Sequence, residues 1–255
     1  MAREVVVAGG VRTAIGTFGG SLKDIAPVDM AATVVKEALA RAKVEGKDVA
    51  QVVFGHVVNT EPRDMYLSRV AAVNGGCPKE TQAFNVNRLC GSGLQAIISA
   101  SQGILLGDYD VAIGGGCENM SRAPYANLTN RFGARMGDTK LVDMMVGALH
   151  DPFHTIHMGV TAENVAKEFE ITREQQDALA LESHQRAEKA WAEGRFKDQI
   201  VPIMLKSKKG DVAFEKDEHF RAGTKLEDFT KMKPVFIKEN GTVTAANASG
   251  INDAA

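Results

Sequence analysis

The stretch Asn85-Val86-Asn87-Arg88-Leu89-Cys90-Gly91-Ser92-Gly93-Leu94-Gln95 carries the strongest indication of how this chain folds. A short strand runs into a cysteine, two small turn residues follow, and a long apolar helix begins. The first turn of a helix has unpaired backbone N–H groups and a dipole that favours negative charge. A thiol at such a position is a candidate nucleophile, because the thiolate is the reactive form of cysteine. A small buried core cysteine fits the same stretch equally well, so both interpretations stay open here.

Strands and helices alternate on both sides of this stretch. Strands are predicted at 4–8, 49–58, 83–86 and 109–114, and helices at 27–43, 64–73 and 91–106. This alternation indicates a mainly parallel sheet with helices on both faces. The helix at 91–106 has no charged side chain, which predicts that it is buried on several sides as a central layer.

The second half of the chain has a different character. Residues 121–158 show no steady hydrophobic period, and loops of this length are usually functional or assembly elements. Helices are predicted at 161–169 and 172–193, the latter opened by a capping-box pattern of Thr172 and Gln175. A hairpin is predicted at 199–206 and 210–214, turning at Lys209-Gly210. The tail at 241–255 predicts a strand, a polar turn and the start of a helix.

The composition argues against several classes of protein. The formal net charge is -2, so no basic field points to a nucleic acid or a membrane surface. The three cysteines, Cys77, Cys90 and Cys117, are odd in number and widely spaced, which argues against a disulfide framework or a zinc ribbon. No signal peptide precedes the first predicted strand, and no apolar run approaches the length of a membrane span. We therefore expect a cytoplasmic protein with reduced thiols.

Two other kinds of site fit the residues less well. His150, His154 and His157 are clustered, but Pro152 interrupts any helix that would align them, so we expect no metal site. An α/β-hydrolase nucleophile turn needs glycine where this chain has Arg88.

Six stretches together resemble the thiolases, the acetyl-CoA acetyltransferases. The stretches lie at 11–16, 86–95, 114–121, 157–164, 194–202 and 242–250, in family order, and the resemblance as a whole extends from residue 5 to the last residue. The chain is most similar to bacterial biosynthetic thiolases of short-chain β-ketoacyl-CoA metabolism. A related condensing enzyme, such as a ketoacyl synthase, would lack the His157-Met158-Gly159 stretch.

The resemblance implies an α/β thiolase fold, layered αβαβα with a buried central helix. It implies an N-terminal half-domain at 1–120, a CoA-binding lobe with an oligomerisation loop at 121–245, and a return into the half-domain at 246–255. Thiolases continue into a second half-domain of similar topology. That half supplies Asn-Glu-Ala-Phe, Gly-His-Pro and Cys-x-Gly-Gly-Gly motifs, and none of the three occurs in this sequence.

The resemblance also implies a ping-pong acyl transfer through Cys90. Cys90 would carry the acyl group while two acetyl-CoA condense to acetoacetyl-CoA, or while CoA thiolyses a short 3-ketoacyl-CoA. The histidine base and the second cysteine would come from the missing half. We therefore expect this chain alone to be inactive as an acetyl-CoA C-acetyltransferase. The alternative is a fragment that acts only as a folding or assembly unit.

Substrate contacts are implied at eight further positions. The family pattern maps the pantetheine channel, the acyl pocket and an adenine-stacking arginine onto Leu149, His157, Met158, Arg221, Phe236, Ala245, Ala248 and Ser249. Asp228 departs from the pattern, since close relatives often carry serine near the adenosine end. Without the resemblance, the residues themselves favour a loop histidine, a core methionine and a solvated arginine, and Ser249 has a helix N-cap as its alternative.

The resemblance further implies that coenzyme A and acyl-CoA are substrates and that no cofactor is bound permanently. It implies a homodimer or homotetramer, with residues 121–140 forming the tetramer contact. No nucleic acid, membrane or metal is expected as a partner.

Overall fold

A computed structural model describes residues 3–208 and 210–255, so one residue of the predicted Lys209-Gly210 turn, Lys209, lies outside the described residues. The chain forms two compact units. The first, here called the sheet unit, comprises the described residues within Met1–Met145, Asp198–Glu218 and Ile251–Ala255. The second, the helical unit, comprises Val146–Lys197 and His219–Gly250.

The secondary structure follows the predicted order over most of the chain. The α-helices are α1 (Pro27–Ala42), α2 (Leu67–Asn74), α3 (Ser92–Leu106), α4 (Met144–Ala148), α5 (Met158–Glu168), α6 (Arg173–Ala192) and α7 (Leu226–Thr230). The strands are β1 (Arg12–Thr13), β2 (Gly16–Thr17), β3 (Gln51–Gly55), β4 (Gln82–Val86), β5 (Ala112–Gly116), β6 (Glu118–Asn119), β7 (Tyr125–Ala126), β8 (Val142–Asp143), β9 (Ile200–Val201), β10 (Ile203–Leu205), β11 (Val212–Phe214) and β12 (Asn252–Ala254).

A parallel three-stranded sheet forms the centre of the sheet unit. Its strand order is β4-β3-β5, with Gly55 paired to Val86 on one side and to Gly116 on the other. Helix α3 packs on one face through Ala96 and Ala100, which join Val53 in a buried cluster. Helix α2 packs on the other face, where the Ser68 hydroxyl accepts the backbone N–H of Phe54 at 2.9 Å. The predicted parallel sheet with helices on both faces is confirmed.

Helix α3 is less buried than its composition predicted. Its small residues lie on the sheet, but Leu94 and Leu106 are 66% and 78% exposed, and Ile97, Ile98 and Leu105 are also exposed. No element among the described residues covers this apolar side, so the prediction of a helix buried on several sides is wrong for the chain as it stands. The reason is that burial requires a second packing layer, which a helix cannot supply for itself.

Two other local predictions are wrong. Residues 4–8 form no strand, and Val6 and Val7 are 73% and 85% exposed, because no described strand pairs with this segment. The tail does not begin a helix. Its last residues form β12, which pairs antiparallel with β2 and with β6. This pairing is held by Ser121, whose backbone N–H and hydroxyl both donate to the buried Asp253 carboxylate.

The prediction that no apolar run approaches the length of a membrane span is also wrong, because of the segment Leu89–Leu106. This segment is long and apolar enough to cross a membrane by length and composition alone, although the sequence predicted no run of that length. A single such helix is weak evidence, because a core helix of a soluble protein passes the same test. The glycine and alanine side of this helix lies against the sheet.

The compact units do not follow the boundaries predicted at 120 and 245. Residues 121–145 and 198–218 pack in the sheet unit, and the tail returns to that unit at Ile251. The predicted hairpin explains why 198–218 belongs to the sheet unit. Strands β10 and β11 pair antiparallel with each other, and the preceding strand β9 pairs parallel with β1. The division into a half-domain and a CoA-binding lobe is a functional one, and it stays a prediction.

The helical unit contains the two predicted helices, α5 and α6. Helix α6 begins with the predicted capping box, in which Gln175 N–H donates to the Thr172 hydroxyl at 3.3 Å and Thr172 N–H donates to the Gln175 side chain at 2.8 Å. These two bonds satisfy backbone donors that the first helical turn leaves unpaired. Asp177, one turn further on, is buried and forms an ion pair with Arg173 at 2.8 Å.

Candidate functional site

Cys90 is the accessible thiol of the sheet unit. It is exposed, whereas Cys77 and Cys117 are buried. Burial raises the pKa of the Cys77 thiol and raises that of Cys117 strongly, so both are held in the unreactive protonated form. The interpretation of Cys90 as a buried core residue is therefore wrong, and its role as a nucleophile stays a prediction.

The turn that carries Cys90 has an unusual backbone. Leu89, immediately before it, has φ of 46°, in the left-handed region that non-glycine residues rarely adopt. Helix α3 then begins at Ser92, with Gly91 as its N-cap. The Ser92 hydroxyl accepts the backbone N–H of Arg88 at 2.8 Å and donates to the Leu89 carbonyl at 2.6 Å. The polypeptide thus reverses from β4 into α3 within a few residues, and Cys90 lies at the bend.

Glycines on the sheet set the depth at which α3 lies. A Cβ atom at Gly55 would lie 2.4 Å from the Ser92 carbonyl carbon, and one at Gly114 would lie 2.7 Å from the Ile97 Cα. Both contacts are with helix backbone, which cannot move aside as a flexible side chain can. Glycine is thus required for the close approach of strand and helix that brings the Cys90 turn to the carboxyl ends of the strands. The sequence analysis did not identify this role, although the Gly114-Gly115-Gly116 run indicated it.

A buried polar cluster lies at the same strand ends. His56 follows β3 and places its Nδ1 2.8 Å from the Cys117 carbonyl oxygen. The carboxylates of Asp64 and Glu118 lie 3.8 Å and 3.7 Å from its ring nitrogens. Burial raises the pKa of Glu118, an effect that His56 and the backbone N–H groups of Val57 and Val58 only partly offset. These residues were not predicted, because they fall in separate segments of the sequence. His56 lies inside the predicted strand at 49–58, Asp64 begins the predicted helix at 64–73, and Glu118 follows the predicted strand at 109–114 by four residues.

In the helical unit, four of the predicted substrate-contacting residues come together. The backbone N–H of Met158 donates to the Leu149 carbonyl at 2.8 Å, which brings these two residues side by side. The ring of His157 stacks on Phe236 with a centroid distance of 4.7 Å. A side chain at Gly159 would collide with the Phe236 ring at 2.1 Å, so this stacked arrangement requires glycine at 159.

His157 has a defined protonation state in this arrangement. Its Nδ1 accepts the Gly159 backbone N–H at 3.0 Å and so caps α5, which requires that this nitrogen carry no proton. Burial lowers the pKa of His157, and the nearby His150 lowers it further. At neutral pH the ring is therefore uncharged, and its Nε2–H is a hydrogen-bond donor.

Glu163 of α5 joins this cluster to the segment that contains Ala245, Ala248 and Ser249. Its buried carboxylate accepts both the N–H and the hydroxyl of Thr242 and the N–H of Val243, at 2.7–2.9 Å. Burial acts to raise the pKa of Glu163, but these hydrogen bonds outweigh it and lower the pKa. Sequence reasoning missed Glu163, since its spacing on the helix is that of an ordinary exposed residue.

The turn beyond Val243 is held by Asn247. Its side-chain oxygen accepts the Thr244 N–H at 2.7 Å, and its amide donates to Asp177 of α6 at 2.9 Å. The turn leaves Ala245 and Ser249 exposed and Ala248 half-buried. No helix follows Ser249, so its interpretation as a helix N-cap is wrong.

Arg221 lies apart from the His157 cluster, on an exposed loop of the same unit. Its backbone N–H donates to His184 Nδ1 at 3.1 Å, and the next loop glycine, Gly223, donates to the Glu188 carboxylate at 3.0 Å. Asp228 accepts the Lys225 N–H at 2.9 Å and so caps the short helix α7. The acid that departs from the family pattern therefore has a local structural role.

The clustered histidines do not form a metal centre in the described part of the chain. His150 contacts the edge of the His157 ring, and His154 lies 3.0 Å from the Asp151 carboxylate instead. No group of three or more His, Cys, Asp or Glu residues within 3–208 and 210–255 is placed to hold an ion.

Comparisons with known proteins match this chain along nearly its whole length. Residues 5–255 match the family described as thiolase, N-terminal domain. A beta-ketothiolase of Cupriavidus necator is 70% identical over 255 residues, covering 100% of this chain and 65% of the relative. An acetyl-CoA acetyltransferase of Syntrophomonas wolfei is 47% identical over 258 residues, covering 100% of this chain and 64% of the relative.

Solved structures agree with these relatives. The acetyl-CoA acetyltransferase of Bacillus anthracis superposes with a TM-score of 0.95 at 44% identity, covering 99% of this chain and 64% of that one. Human mitochondrial 3-ketoacyl-CoA thiolase in complex with CoA superposes with a TM-score of 0.92 at 41% identity, covering 97% and 62%. The chain thus spans about 64–65% of the length of the curated relatives named here.

Proposed function

This chain belongs to the thiolase family, and from that premise we propose that it carries the acyl-accepting nucleophile of an acetyl-CoA C-acetyltransferase, Cys90. The observation that carries the proposal is the exposure of Cys90 at the start of α3, while both other thiols are buried. A thioester substrate can reach this sulfur from solvent, and cysteine is a strong nucleophile in its thiolate form. Acyl transfer from a thioester needs such a group, because the acceptor must be nucleophilic at neutral pH.

The reaction proceeds in two half-reactions. The Cys90 sulfur attacks the thioester carbonyl carbon, a new C–S bond forms, and the bond to the CoA sulfur breaks. CoA leaves as a thiolate and takes up a proton. The backbone N–H of Cys90 lies at the helix start and stabilises the oxyanion that develops on the carbonyl oxygen. Acetyl-CoA, deprotonated at its methyl carbon, or free CoA then takes the acyl group from Cys90.

Two acetyl-CoA molecules would in this way give acetoacetyl-CoA, and the reverse reaction would cleave acetoacetyl-CoA or another short 3-ketoacyl-CoA. The printed names of the relatives, beta-ketothiolase and acetyl-CoA acetyltransferase, support this substrate class. The histidine base and the second cysteine of the family are assigned to a further part of the thiolase sequence, since their motifs do not occur among these residues.

The helical unit is assigned to CoA. The cluster of Leu149, His157, Met158 and Phe236 offers apolar surface and one ring N–H donor, which suits the pantetheine arm of CoA. The exposed Ala245 and Ser249 lie on the turn that Asn247 holds, and we assign them to the same ligand. Arg221, on its exposed loop, is assigned to the adenine ring, where a guanidinium stacks well.

The remaining assignments follow the family premise. We assign the protein to the cytoplasm, to a homodimer or homotetramer, and to chemistry without a permanently bound cofactor. The oligomer assignment is supported by the exposed apolar side chains of the loop closed by β7 and β8. Phe132 and Met136 in that loop are 96% and 95% exposed, as a contact element between copies requires.

Acetyl transfer to the protein tests the role of Cys90. The wild-type chain, incubated with radiolabelled acetyl-CoA and quenched in acid, is expected to carry label on the peptide that contains Cys90. Cys90→Ser is expected to carry none, whereas the matched control Cys77→Ser retains the label, because Cys77 is buried. Label on a peptide that lacks Cys90 would exclude Cys90 as the nucleophile.

A further inference from the structure

We propose that Asn87 is a positioning residue for Cys90, because its side chain holds Leu89 in the left-handed conformation that presents the thiol. The proposal rests on the proposed role of Cys90 as nucleophile. It adds a residue that acts on the nucleophile through the backbone.

The Leu89 backbone cannot be explained by local preference. A leucine at φ of 46° is disfavoured because its Cβ approaches the backbone closely. Side-chain packing does not enforce this conformation either, since Leu89 is 48% exposed. The force that holds Leu89 must therefore come from hydrogen bonds to its own peptide groups.

Those hydrogen bonds come from side chains on either side of Leu89. The Leu89 N–H donates to the Asn87 side-chain oxygen at 3.0 Å, and the Leu89 carbonyl accepts from the Ser92 hydroxyl at 2.6 Å. The orientation of the Asn87 amide follows from chemistry, because an N–H donor must face its oxygen and not its NH₂ group. Backbone bonds also close this turn, from the Ser92 N–H to the Leu89 carbonyl at 2.9 Å and from the Gly91 N–H to the Arg88 carbonyl at 3.1 Å. The Leu89 N–H itself donates to the Asn87 side chain, so Asn87 holds the side of Leu89 that these backbone bonds leave free.

Asn87 is itself oriented by the adjacent strand end. Its amide nitrogen lies 3.4 Å from the Val57 carbonyl, a long hydrogen bond. The segment of Val57 and Val58 is in turn fixed by Glu118, whose carboxylate accepts their backbone N–H groups at 2.8 Å and 3.1 Å. The ends of three parallel strands are therefore connected to the turn that carries the nucleophile.

A change in the Leu89 backbone would move Cys90, because Cys90 is the next residue. If Leu89 leaves the left-handed region, the peptide between Leu89 and Cys90 rotates, and the sulfur moves away from the helix start. Loss of the Asn87 bond therefore lowers the reactivity of Cys90 in a protein that is still folded.

Alkylation of Cys90 by iodoacetamide measures this effect without any acyl transfer. The full-length protein is incubated with iodoacetamide at pH 7. The rate is followed by mass spectrometry of the peptide that contains Cys90. Asn87→Ala is expected to slow alkylation about threefold to tenfold, because the strained conformer loses one of its stabilising hydrogen bonds. Asn87→Ser is expected to retain most of the rate, since a serine hydroxyl accepts the same N–H.

A backbone rescue separates positioning from general destabilisation. Leu89→Gly added to Asn87→Ala is expected to restore most of the rate, because glycine adopts φ near 46° without cost. Leu89→Val, which leaves Asn87 intact, is expected to slow alkylation because a β-branched residue resists this conformation. Asn127 is a matched control, since its side chain accepts N–H groups of Thr129 and Asn130 in a distant turn. Asn127→Ala is expected to leave the Cys90 rate unchanged.

The proposal is overturned if Asn87→Ala has an unchanged circular dichroism spectrum and its Cys90 is alkylated at the wild-type rate. It is also overturned if Leu89→Gly fails to rescue that variant, or if Leu89→Val reacts as fast as the wild type. If Cys90 of the wild type is alkylated rapidly but accepts no label from acetyl-CoA, the proposed function is contradicted. The positioning role of Asn87 is then unaffected.

Discussion

At the scale of single residues, exposure separates the three cysteines more sharply than their sequence contexts do. Cys117 also lies at a strand end, directly after β5, yet it is buried and its hydrogen bond to the Pro27 carbonyl keeps it inside. Cys90 is reached by solvent because the left-handed Leu89 directs the chain out of the sheet before α3 begins. The sequence identified Cys90 as a candidate, and the backbone geometry of its neighbour distinguishes it from the other thiols.

Glu163 gives a prediction that belongs to this scale. Glu163→Gln removes a carboxylate that accepts hydrogen bonds from Thr242 and Val243, and it is expected to cost about 2 kcal/mol of unfolding free energy at pH 7. The pKa of Glu163 is lowered in the fold, so its contribution is complete above the unfolded value near 4.5 and is lost as pH falls through the folded pKa.

Urea unfolding of the wild type and of Glu163→Gln between pH 7 and pH 3 checks this. The difference in unfolding free energy between the two proteins should shrink as the pH falls below about 4.5. The exposed Glu168 on the same helix is the matched control, and Glu168→Gln should change stability little at any pH. A difference that stays constant down to pH 3 would show that the charge of Glu163 is not what stabilises the turn.

At the scale of elements, the contact between α3 and the sheet determines where Cys90 lies. Hydrophobic periodicity predicted the bounds of α1, α3 and α6 to within a residue or two, because helix formation depends on local pattern and caps. It could not predict which side of α3 is covered. That side is selected by Gly55 and Gly114, where strand and helix backbones meet.

Gly114→Ala tests this contact. The added Cβ would lie 2.7 Å from the Ile97 Cα, so the helix must move, at an expected cost of about 2 kcal/mol. The Cys90 alkylation rate should fall as the turn shifts with the helix. Gly147→Ala is the matched control, because no atom outside its chain neighbours and its own helix backbone lies within 4 Å of its Cβ position, and alanine favours the helix there. Equal urea midpoints for the two variants would contradict the close approach.

At the scale of the whole molecule, the proposed nucleophile is present, but among the described residues helix α3 is covered on one side only. Leu94, Ile98 and Leu106 expose apolar surface along α3. The relatives named above are longer than this chain, which covers 65% and 64% of their lengths. Within these 255 residues, the sequence contains neither of the motifs from which the family takes its base and its second cysteine.

The 255-residue chain by itself is therefore expected to accept an acetyl group on Cys90 without completing turnover. Purified chain should give no thiolysis of acetoacetyl-CoA, followed by the loss of the enolate absorbance of that substrate. A full-length thiolase assayed in parallel is the positive control. Clear turnover by the 255-residue chain would mean that its own residues supply both bases, and the assignment of those bases to a further part of the sequence would be wrong.

The sequence by itself determined the order of the main helices and of strands β3, β4 and β5, the capping box of α6 and the place of Cys90 at a strand–helix turn. These features depend on hydrophobic period, caps and turn residues, which act between neighbours in the chain. Only the tertiary structure decided that Cys90 is exposed, that α3 rests on glycines, that 252–254 pairs as a strand, and that Glu163 anchors the turn near Ala245. Each of these depends on atoms from residues far apart in the sequence, whose contacts no local pattern encodes.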